Sequence, residues 1–348
     1  RGDINLYTVF AESNRRQLNL SGLTGCVLPT GIATDDTTKF FFQDLMDSKS
    51  LRSLYDFENK NIFPNVHSSY KFCCFTAGSG VAPVADQSEF AFFLHATSEL
   101  SDPDKCFKLS PEDIALLNPN TRTCPIFRSR QDAELTRYVY RRFPVLLNEN
   151  DSENGNPWGI KFSRMFDMSN DSHLFKTQED LQEEGWELRG NTFFKDSDTY
   201  LPLYEAKMAN LFDHRSARVV RSDRATVRQA QSEHLTYSEH ADSNVFAEPL
   251  YWVSKLEILF KMPKEWGKKW IHGWRRVSSV TNERTFLNTI FAEVGFGDSI
   301  FLMYFDETTR GYLIALGSMG TFMFDYIVRQ KMGGVNLSFF LVAQLPVL

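Results

Sequence analysis

The sequence predicts an α/β protein, and two observations lead to that class. Up to Thr76, segments with helical and strand-like hydrophobic spacing follow one another in the order helix, strand, helix, strand, strand. Hydrophobic residues make up 42% of the 348 residues and charged residues 24%, which is ordinary for a chain that buries a sizeable core. The order is that of the second half of an α/β domain, so we expect an incomplete sheet.

The first helix and the first strand follow from the spacing of apolar residues. From residue 3 onward, Leu6, Phe10 and Leu18 recur among polar residues at near-helical spacing, which predicts a helix over 3–17. Residues 23–29 are mostly apolar and end in proline, which predicts a short strand.

A second helix and two strands are predicted before Thr76. The polar stretch from Thr34 to Thr37 is a good helix start. Apolar runs at about 51–57 and 69–76 predict strands. The residues expected to form the buried stripe of the helix are Phe40, Phe41, Leu45 and Met46.

Regular hydrophobic spacing gives way near residue 95 to longer irregular segments. An Arg-rich helix is predicted at 132–142, and the polar stretch 148–158 is the best candidate for a flexible boundary. We therefore predict two domains, 1–95 and 96–348, with an internal boundary in the second near 148–158. The second is expected to be a mixed α/β region.

The cysteines and the hydropathy of the sequence indicate the cellular compartment of the protein. The five cysteines are odd in number and irregular in spacing, which fits a reducing cytosol better than a disulfide framework. No run of about 18 apolar residues occurs, and the first residues are not a signal peptide. We expect a cytoplasmic protein with no membrane partner, and a start at Arg1 rather than Met indicates a piece of a longer chain.

The net charge of -6 hides three basic clusters. Residues 122–142 hold six arginines against two acids, residues 214–228 hold five against one, and residues 261–276 hold four lysines and two arginines against one glutamate. Phosphate neutralisation depends on local rather than total charge, so a DNA-facing groove on an acidic body would show this segregation. Solvated helix faces would show it as well.

One stretch, Asn59 to Thr76, joins an exposed turn to a short apolar strand. The turn carries Phe63, whose conformation the following Pro64 restricts. An aromatic ring presented on a turn can serve as a platform for a flat ligand, and a phenylalanine before proline can also pack inward as a core plug.

Together with residues 5–10 and 25–30, this stretch resembles the second half of the catalytic domain of amino-group DNA methyltransferases. The likeness is greatest to adenine-specific (N6) enzymes of the type IIG restriction-modification and phage-defence family. Later blocks follow in the family's order, which runs from the last methyltransferase strands into a target-recognition region. These blocks are Asn118–Thr121, Asn156–Gly159, Met165–Met168, Leu201–Met208, Asp213–Arg215, Thr281–Thr285, Phe324–Lys331, Gly333–Leu337 and Gln344–Val347.

The resemblance implies the C-terminal half of a Rossmann-like sheet that binds S-adenosylmethionine, followed by a mixed α/β target-recognition domain. Two family motifs are missing, the Gly-rich turn that binds the cofactor and the Asn-Pro-Pro-aromatic catalytic loop. Asn156-Pro157-Trp158 has one proline and follows Phe63 instead of preceding it, so it is a decoy. The missing N-terminal half of the same protein is therefore an expected partner, and the fragment alone is expected to be inactive.

The resemblance also assigns roles to three residues near the start of the chain. Phe63 would stack on a target adenine flipped out of the duplex. Asn5 and Tyr7 would shape the pocket for S-adenosylmethionine and the base, although a purely structural helix start is equally compatible with these residues.

The expected macromolecular partner is double-stranded DNA. Phosphates are best met by Arg and Lys, and base edges by Arg, Asn and Gln. A surface or salt-bridged role is the alternative for each residue. The residues expected to contact DNA are Lys207, Arg215, Arg276, Arg284 and Lys331.

Three sharper readings of local motifs are set aside. Glu58 and Lys60 have the spacing of a metal-dependent nuclease but lie at the methyltransferase position. Cys73 and Cys74 with His67 lack the gap that lets two thiolates bind one zinc ion. The histidines and serines offer no triad spacing.

We therefore expect part of a site-specific DNA adenine-N6 methyltransferase with S-adenosylmethionine as cofactor, in restriction-modification or phage defence. A nuclease domain fused in the intact protein is left open. The alternative is a non-catalytic DNA-specificity subunit or scaffold that keeps methyltransferase-like blocks without the chemistry.

Overall fold

The computed structural model describes residues 5–60, 62–67, 70–220, 231–306, 309–332 and 335–347. The chain divides into two compact units. Unit 1 runs to Asn156 and includes Ala343–Pro346, and unit 2 holds Pro157–Val342. The division falls inside the polar stretch 148–158, and the assignment of 1–95 and 96–348 to separate functions stays a prediction.

Unit 1 is built from helices packed on a sheet. Its predicted first helix and its strands at 23–29, 51–57 and 69–76 are confirmed as α1, β1, β2 and β3. The elements are α1 (Leu6–Arg16), β1 (Leu23–Pro29), α2 (Gly31–Thr34), α3 (Lys39–Asp47), β2 (Leu51–Glu58), β3 (Lys71–Gly78), β4 (Ser88–Leu94), β5 (Phe107–Leu109), α4 (Pro111–Leu117) and α5 (Arg130–Tyr140).

The described strands of unit 1 form a sheet in the order β1-β3-β2-β4-β5. β3 is antiparallel to both of its neighbours, so β1 and β2 run in the same direction, and β4 is parallel to β2. The β2–β4 register shifts between Tyr55 and Phe57, which marks a bulge opposite Phe92 and Phe93. The carboxyl ends of β1, β2 and β4 consequently lie at the same edge of the sheet.

The buried stripe of the second helix differs from the prediction. Thr34, where the helix was predicted to start, is instead the last residue of the short helix α2, and α3 begins only at Lys39. Phe42, Leu45 and Met46 are buried, whereas Phe40 is 72% exposed. Because the predicted register was set from the wrong starting residue, the prediction of Phe40 as a core residue was wrong.

Beyond Asn156 the chain forms many short strands interleaved with helices. The elements are β6 (Lys161–Ser163), β7 (Phe175–Lys176), α6 (Gln178–Glu183), β8 (Glu187–Arg189), β9 (Thr192–Lys195), β10 (Asp198–Tyr204), β11 (Ala217–Val220), β12 (Gln231–His234), α7 (Tyr237–Ala241), β13 (Trp252–Ser254), α8 (Lys255–Lys261), β14 (Trp270–Arg275), β15 (Asn288–Ala292), β16 (Gly295–Phe296), β17 (Ile300–Tyr304), α9 (Thr309–Met319), α10 (Phe322–Lys331) and α11 (Phe339–Ala343).

Unit 2 contains two main sheets. One has the order β7-β13-β10-β9-β8 with β16 also pairing to β10, and the other has the order β15-β14-β17-β6. Ile271, Phe291 and Leu302 of the second sheet are buried in one core with Leu203 and Phe296. Such a mixture of strands and helices confirms the α/β class. That unit 1 is half of a methyltransferase sheet and unit 2 a recognition domain stays a prediction.

Within the described ranges, no single helix is both long and apolar enough to cross a membrane. One helix pair, Arg310–Met319 with Phe322–Lys331, passes that test of length and composition, with a bend of 62° between its halves.

Candidate functional site

The edge of the unit 1 sheet gathers polar and aromatic residues from several strands. β2 ends at Glu58 and β4 at Leu94, and β3 begins beside them at Lys71. In open α/β sheets, loops that follow the carboxyl ends of parallel strands are the usual place for ligand-binding residues. We therefore examine this edge as the candidate site.

The loop after β2 is organised by the side chain of Asn59. Asn59 is 2% exposed, and its Nδ2 donates to the carbonyl oxygens of Phe63 at 3.1 Å and Val66 at 2.7 Å. Its Oδ1 accepts the N–H of Phe63 at 2.8 Å. One buried amide thus fixes the turn that carries Phe63.

The ring of Phe63 is anchored and partly open at the same time. It lies edge-to-face with Phe72, with centroids 4.9 Å apart, and Phe72 stacks on Phe57 at 5.4 Å. The residue remains 43% exposed. The ring is therefore available to a flat ligand, while stacking on a base stays a prediction.

Replacing Asn59 with alanine is expected to release this loop. The change removes three hydrogen bonds and leaves buried backbone groups without partners, which costs about 1–3 kcal/mol of local stability. Amide hydrogen exchange should show the Phe63 N–H exchanging about tenfold faster or more. Exposed Asn65→Ala is the control, and unchanged exchange in Asn59→Ala would show that the loop holds itself without this side chain.

Asp56 ties three strands together beneath the same edge. Its buried carboxylate accepts hydrogen bonds from the hydroxyl of Thr30 and, at 3.1 Å, from the N–H of Phe93. Burial raises the pKa of Asp56. Phe93 has a φ of 59°, a conformation that costs a residue with a side chain about 1–3 kcal/mol, so this strain is held by the surrounding structure.

Cations converge on the ring of Phe93. The ammonium of Lys71 lies 3.9 Å and the guanidinium of Arg128 4.1 Å from its centroid. Burial lowers the pKa of Lys71, and the nearby Arg128 adds to that effect. The sheet edge that carries the Phe63 turn thus also presents two positive groups, Lys71 and Arg128.

Glu58 balances part of this positive charge. Its carboxylate lies 2.9 Å from Nε2 of His95, 3.6 Å from Nζ of Lys60 and 3.9 Å from Nζ of Lys71. Partial burial opposes ionisation, yet the hydrogen bond from His95 and the two lysines lower the pKa of Glu58. In the described part of the chain, no group of three His, Cys, Asp or Glu side chains has the geometry of a metal site.

Asn5 and Tyr7 do not by themselves form a site for S-adenosylmethionine. Asn5 is exposed at the start of α1, and its carbonyl oxygen accepts a hydrogen bond from Thr8 at 2.7 Å. Burial and the carboxylate of Asp35 raise the pKa of Tyr7, whose hydroxyl lies beside Gly31. These groups can border a pocket, but the Gly-rich turn that a cofactor needs is not in this sequence, so no step is derived through it.

Ser299 of unit 2 bonds the backbone next to Lys207 and the backbone of Arg276. The Oγ of Ser299 accepts the N–H of Ala206 at 2.9 Å, and its carbonyl oxygen accepts the N–H of Arg276 at 2.9 Å. Both cations also have acidic neighbours. Lys207 lies 3.1 Å from Glu205, and Arg276 lies 3.1 Å from Asp298.

The guanidinium of Arg215 is used inside the fold. It donates to the carbonyl oxygens of His240 and Val245, each at 2.8 Å, and of Asp242 at 3.3 Å. These three bonds close the segment after α7 onto the start of β11. Its DNA contact stays a prediction, and its geometry is that of a loop clamp.

Arg284 and Lys331 lie at opposite ends of α10. Arg284 donates to the carbonyl oxygens of Gly320 and Thr321, and its guanidinium lies 4.6 Å from the ring centroid of Phe322. Burial lowers the pKa of Lys331 well below its usual range. Their geometry therefore offers less to a phosphate than the sequence indicates, and DNA contact stays a prediction for both.

The basic cluster at 122–142 lies entirely within the described residues. In residues 122–142, Arg122 pairs with Asp47, and Arg137 and Arg141 lie 3.1 and 3.5 Å from Asp113. Most of the cluster at 214–228 falls at 221–228, outside the described residues. The arginines of the first cluster mainly hold unit 1 together.

Sequence reasoning missed Arg275, Phe93 and Asp56 as site residues. Arg275 could have been found, because it adjoins Arg276 in the basic cluster at 261–276. The pairing of Asp56 with Phe93 crosses 37 residues and depends on a bulge, so no local signal marks it.

No family model matches the sequence, and no curated protein matches it. Among solved structures, the chain is similar to the type IIG restriction endonuclease BpuSI, with a TM-score of 0.36 and 12% sequence identity. The match covers 99% of this chain and 42% of that one, so the chain spans less than half the length of the enzyme it matches.

Proposed function

We propose that this chain is the base-clamping and DNA-binding part of a site-specific DNA adenine-N6 methyltransferase of restriction-modification or phage defence. The observation that carries the proposal is the presentation of Phe63. A half-exposed ring stands on a turn fixed by a buried amide, at the sheet edge where the carboxyl ends of β2 and β4 lie. The order of the blocks in the sequence resembles that of the family, and the geometry of the Phe63 turn supplies the physical reason for the proposal.

A platform of this kind suits a base outside the duplex. A base inside the stack cannot present its amino group to a methyl donor, so an enzyme that methylates it must extrude it at a cost of a few kcal/mol. Stacking on an aromatic ring returns about 1–3 kcal/mol. Phe63 packs edge-to-face on Phe72 and is 43% exposed, which leaves ring surface for this contact.

The outer edge of the sheet supports a partner that extends it. Among the described residues β1 pairs only with β3, and its sequence from Leu23 to Pro29 carries no charge. Open edges are usually short or guarded by lysine, as β5 is with Lys108. β1 is seven residues long, and Val27 on it is 59% exposed. We infer that the expected N-terminal half adds a strand here.

The helix beside this edge has a matching apolar face. Leu6, Val9 and Phe10 of α1 recur at helical spacing and are all exposed. An apolar stripe and an unguarded strand edge side by side are what a sheet needs to continue with further strands and a covering helix. In that arrangement the intact protein would supply S-adenosylmethionine binding and the catalytic loop.

The test is methylation of unmodified genomic DNA by the intact protein with radiolabelled S-adenosylmethionine. Phe63→Ala is expected to lower the rate about tenfold, because the flipped base loses its stacking surface, and Phe63→Trp is expected to restore it. Ile62→Ala in the same exposed turn is the control and should methylate like the unmodified protein.

Three outcomes would contradict the proposal in different ways. If Phe63→Ala methylated DNA at the rate of the unmodified protein, the ring would not be the base platform. If the intact protein bound DNA in a sequence-dependent manner and never methylated it, the non-catalytic specificity module would be the correct function. Methyl transfer by residues 1–348 alone would also contradict the proposal, since this chain lacks the cofactor motif.

A further inference from the structure

Arg275 differs from the other partly buried arginines of unit 2. It is the last residue of β14, and its backbone N–H donates to the carbonyl oxygen of Leu287 at 2.9 Å. Its Nε is buried without a hydrogen-bond partner, as are those of Arg218, Arg276 and Arg284, but Nη2 of each of these three bonds an oxygen. Among the described residues, no carboxylate or carbonyl oxygen lies within bonding distance of its guanidinium.

Other arginines of unit 2 have oxygen partners for at least part of the guanidinium. Arg276 lies 3.1 Å from Asp298, and Arg329 bonds Asp325 at 3.0 Å together with three backbone carbonyl oxygens. Arg215 is bonded to three carbonyl oxygens. In the described part of unit 2, these arginines therefore have hydrogen-bond acceptors and the Arg275 guanidinium has none.

The alternation of β14 explains where the Arg275 side chain originates. Ile271 and Gly273 precede it on the same face of the strand, and both are buried. The stem of Arg275 continues this apolar face to the strand end, where the residue becomes partly exposed. Burial alone lowers the pKa of Arg275, which agrees with a charge that has lost water without gaining a partner.

An arginine in this state is unfavourable to the isolated fold. A charge removed from water without a counter-charge destabilises a protein, and an arriving anion removes that penalty. The planar fork of a guanidinium matches the oxygens of a phosphate in bidentate geometry. The residue that follows on the chain, Arg276, bonds the carbonyl oxygen of Ser299 through its backbone N–H.

We propose that Arg275 is a phosphate-binding residue that takes a backbone phosphate of duplex DNA. The inference rests on the proposed function and deepens it, since it names a phosphate contact of the recognition region. Lys207 and Arg276 already have carboxylate partners, so Arg275 provides the direct bond.

The experiment measures two quantities on the same variants, duplex DNA affinity across a salt series and the thermal midpoint of unfolding. Arg275→Met should weaken binding about tenfold at moderate salt and reduce the slope of log affinity against log salt by about 1. The same variant should melt at an equal or higher temperature, because an unpaired charge has been removed. Arg275→Lys should keep the salt slope and lose part of the affinity.

Arg189→Met is the matched control. Arg189 is exposed and lies 2.7 Å from Glu187, so its loss changes net charge equally and should leave affinity within about twofold. A lower melting temperature together with weaker binding in Arg275→Met would assign Arg275 a structural role and overturn the proposal. Unchanged binding would overturn it as well.

Inorganic phosphate separates this inference from the proposed function. If the unmodified protein binds no duplex DNA, the function fails. The anion site itself still stands if phosphate raises the melting temperature of the unmodified protein and not that of Arg275→Met. If phosphate shifts both proteins equally, the site is overturned too.

Discussion

Replacing Asp325 with alanine is expected to destabilise unit 2 by about 3–5 kcal/mol. Asp325 is 3% exposed, and its Oδ1 accepts the backbone N–H groups of Thr285 and Phe286, each at 2.8 Å. Its Oδ2 lies 3.0 Å from Nε of Arg329, and Arg284 lies 3.8 Å away. Alanine would leave two buried donors and two guanidinium groups facing an empty space.

The loss can be measured specifically in unit 2. All six tryptophans lie between residues 158 and 274, so their fluorescence during urea unfolding reports on this unit. The free energy of unfolding of Asp325→Asn should lie between those of the unmodified protein and Asp325→Ala. The amide oxygen of asparagine still accepts a hydrogen bond, while its amide nitrogen repels the arginines. Asp298→Ala, which breaks a half-exposed pair with Arg276, is expected to cost less than about 1 kcal/mol. Equal losses in the two alanine variants would contradict the role of Asp325 as a hub.

The Asp325 network changes how the predicted DNA contacts are tested. Arg284 and Arg329 hold the segment before β15 against α10, so an alanine at either position removes structural bonds. Weaker DNA binding by Arg284→Ala would then report a disturbed fold as readily as a lost phosphate contact. Arg275, whose side chain stabilises nothing described, is the cleaner probe.

Local hydrophobic spacing was sufficient to predict the first three strands of unit 1, whereas β4 and β5 were not predicted. β2 and β3 were expected at 51–57 and 69–76 and lie at Leu51–Glu58 and Lys71–Gly78. The next helix differs from the prediction because the chain turns between α2 and α3. Since α3 starts only at Lys39, Phe40 faces solvent. Hydrophobic periodicity does not reveal a turn between two helices. The helix was therefore predicted, but its buried face was not.

The candidate site was predictable only in its local part. Phe63 on a turn before proline is a pattern of neighbouring residues, and its exposure agrees with that pattern. The partners of the arginines are separated by long stretches of chain, such as the 40 residues between Thr285 and Asp325. A cluster of positive residues in sequence therefore does not distinguish an arginine that clamps a loop, such as Arg215, from an unpaired one, such as Arg275.

Acidification from pH 7 to pH 5 is expected to cost unit 2 about 2 kcal/mol through His272 alone. His272 is fully buried between β15 and the aromatic side chains of Phe305 and Tyr312, with ring centroids 5.9 Å away in both cases. Burial lowers its pKa to about 4, although a hydrogen bond of 2.9 Å to Asn288 opposes that shift. The ring is therefore neutral in the folded protein throughout this range.

The sign follows from where the proton binds. The unfolded chain takes up a proton on His272 near pH 6.5, and the folded chain does so only near pH 4. Between those values the unfolded state holds more protons, so the free energy of unfolding falls as the pH falls and is fully restored above pH 6.5. His272→Gln keeps an amide donor for Asn288 and cannot titrate, so its tryptophan-monitored urea midpoint should depend less on pH. Exposed His173→Gln is the control and should retain the full acid loss of the unmodified protein. Equal acid losses in His272→Gln and the unmodified protein would mean that buried carboxylates or another histidine govern the response, because a neutral glutamine removes the only group at this position that can bind the proton.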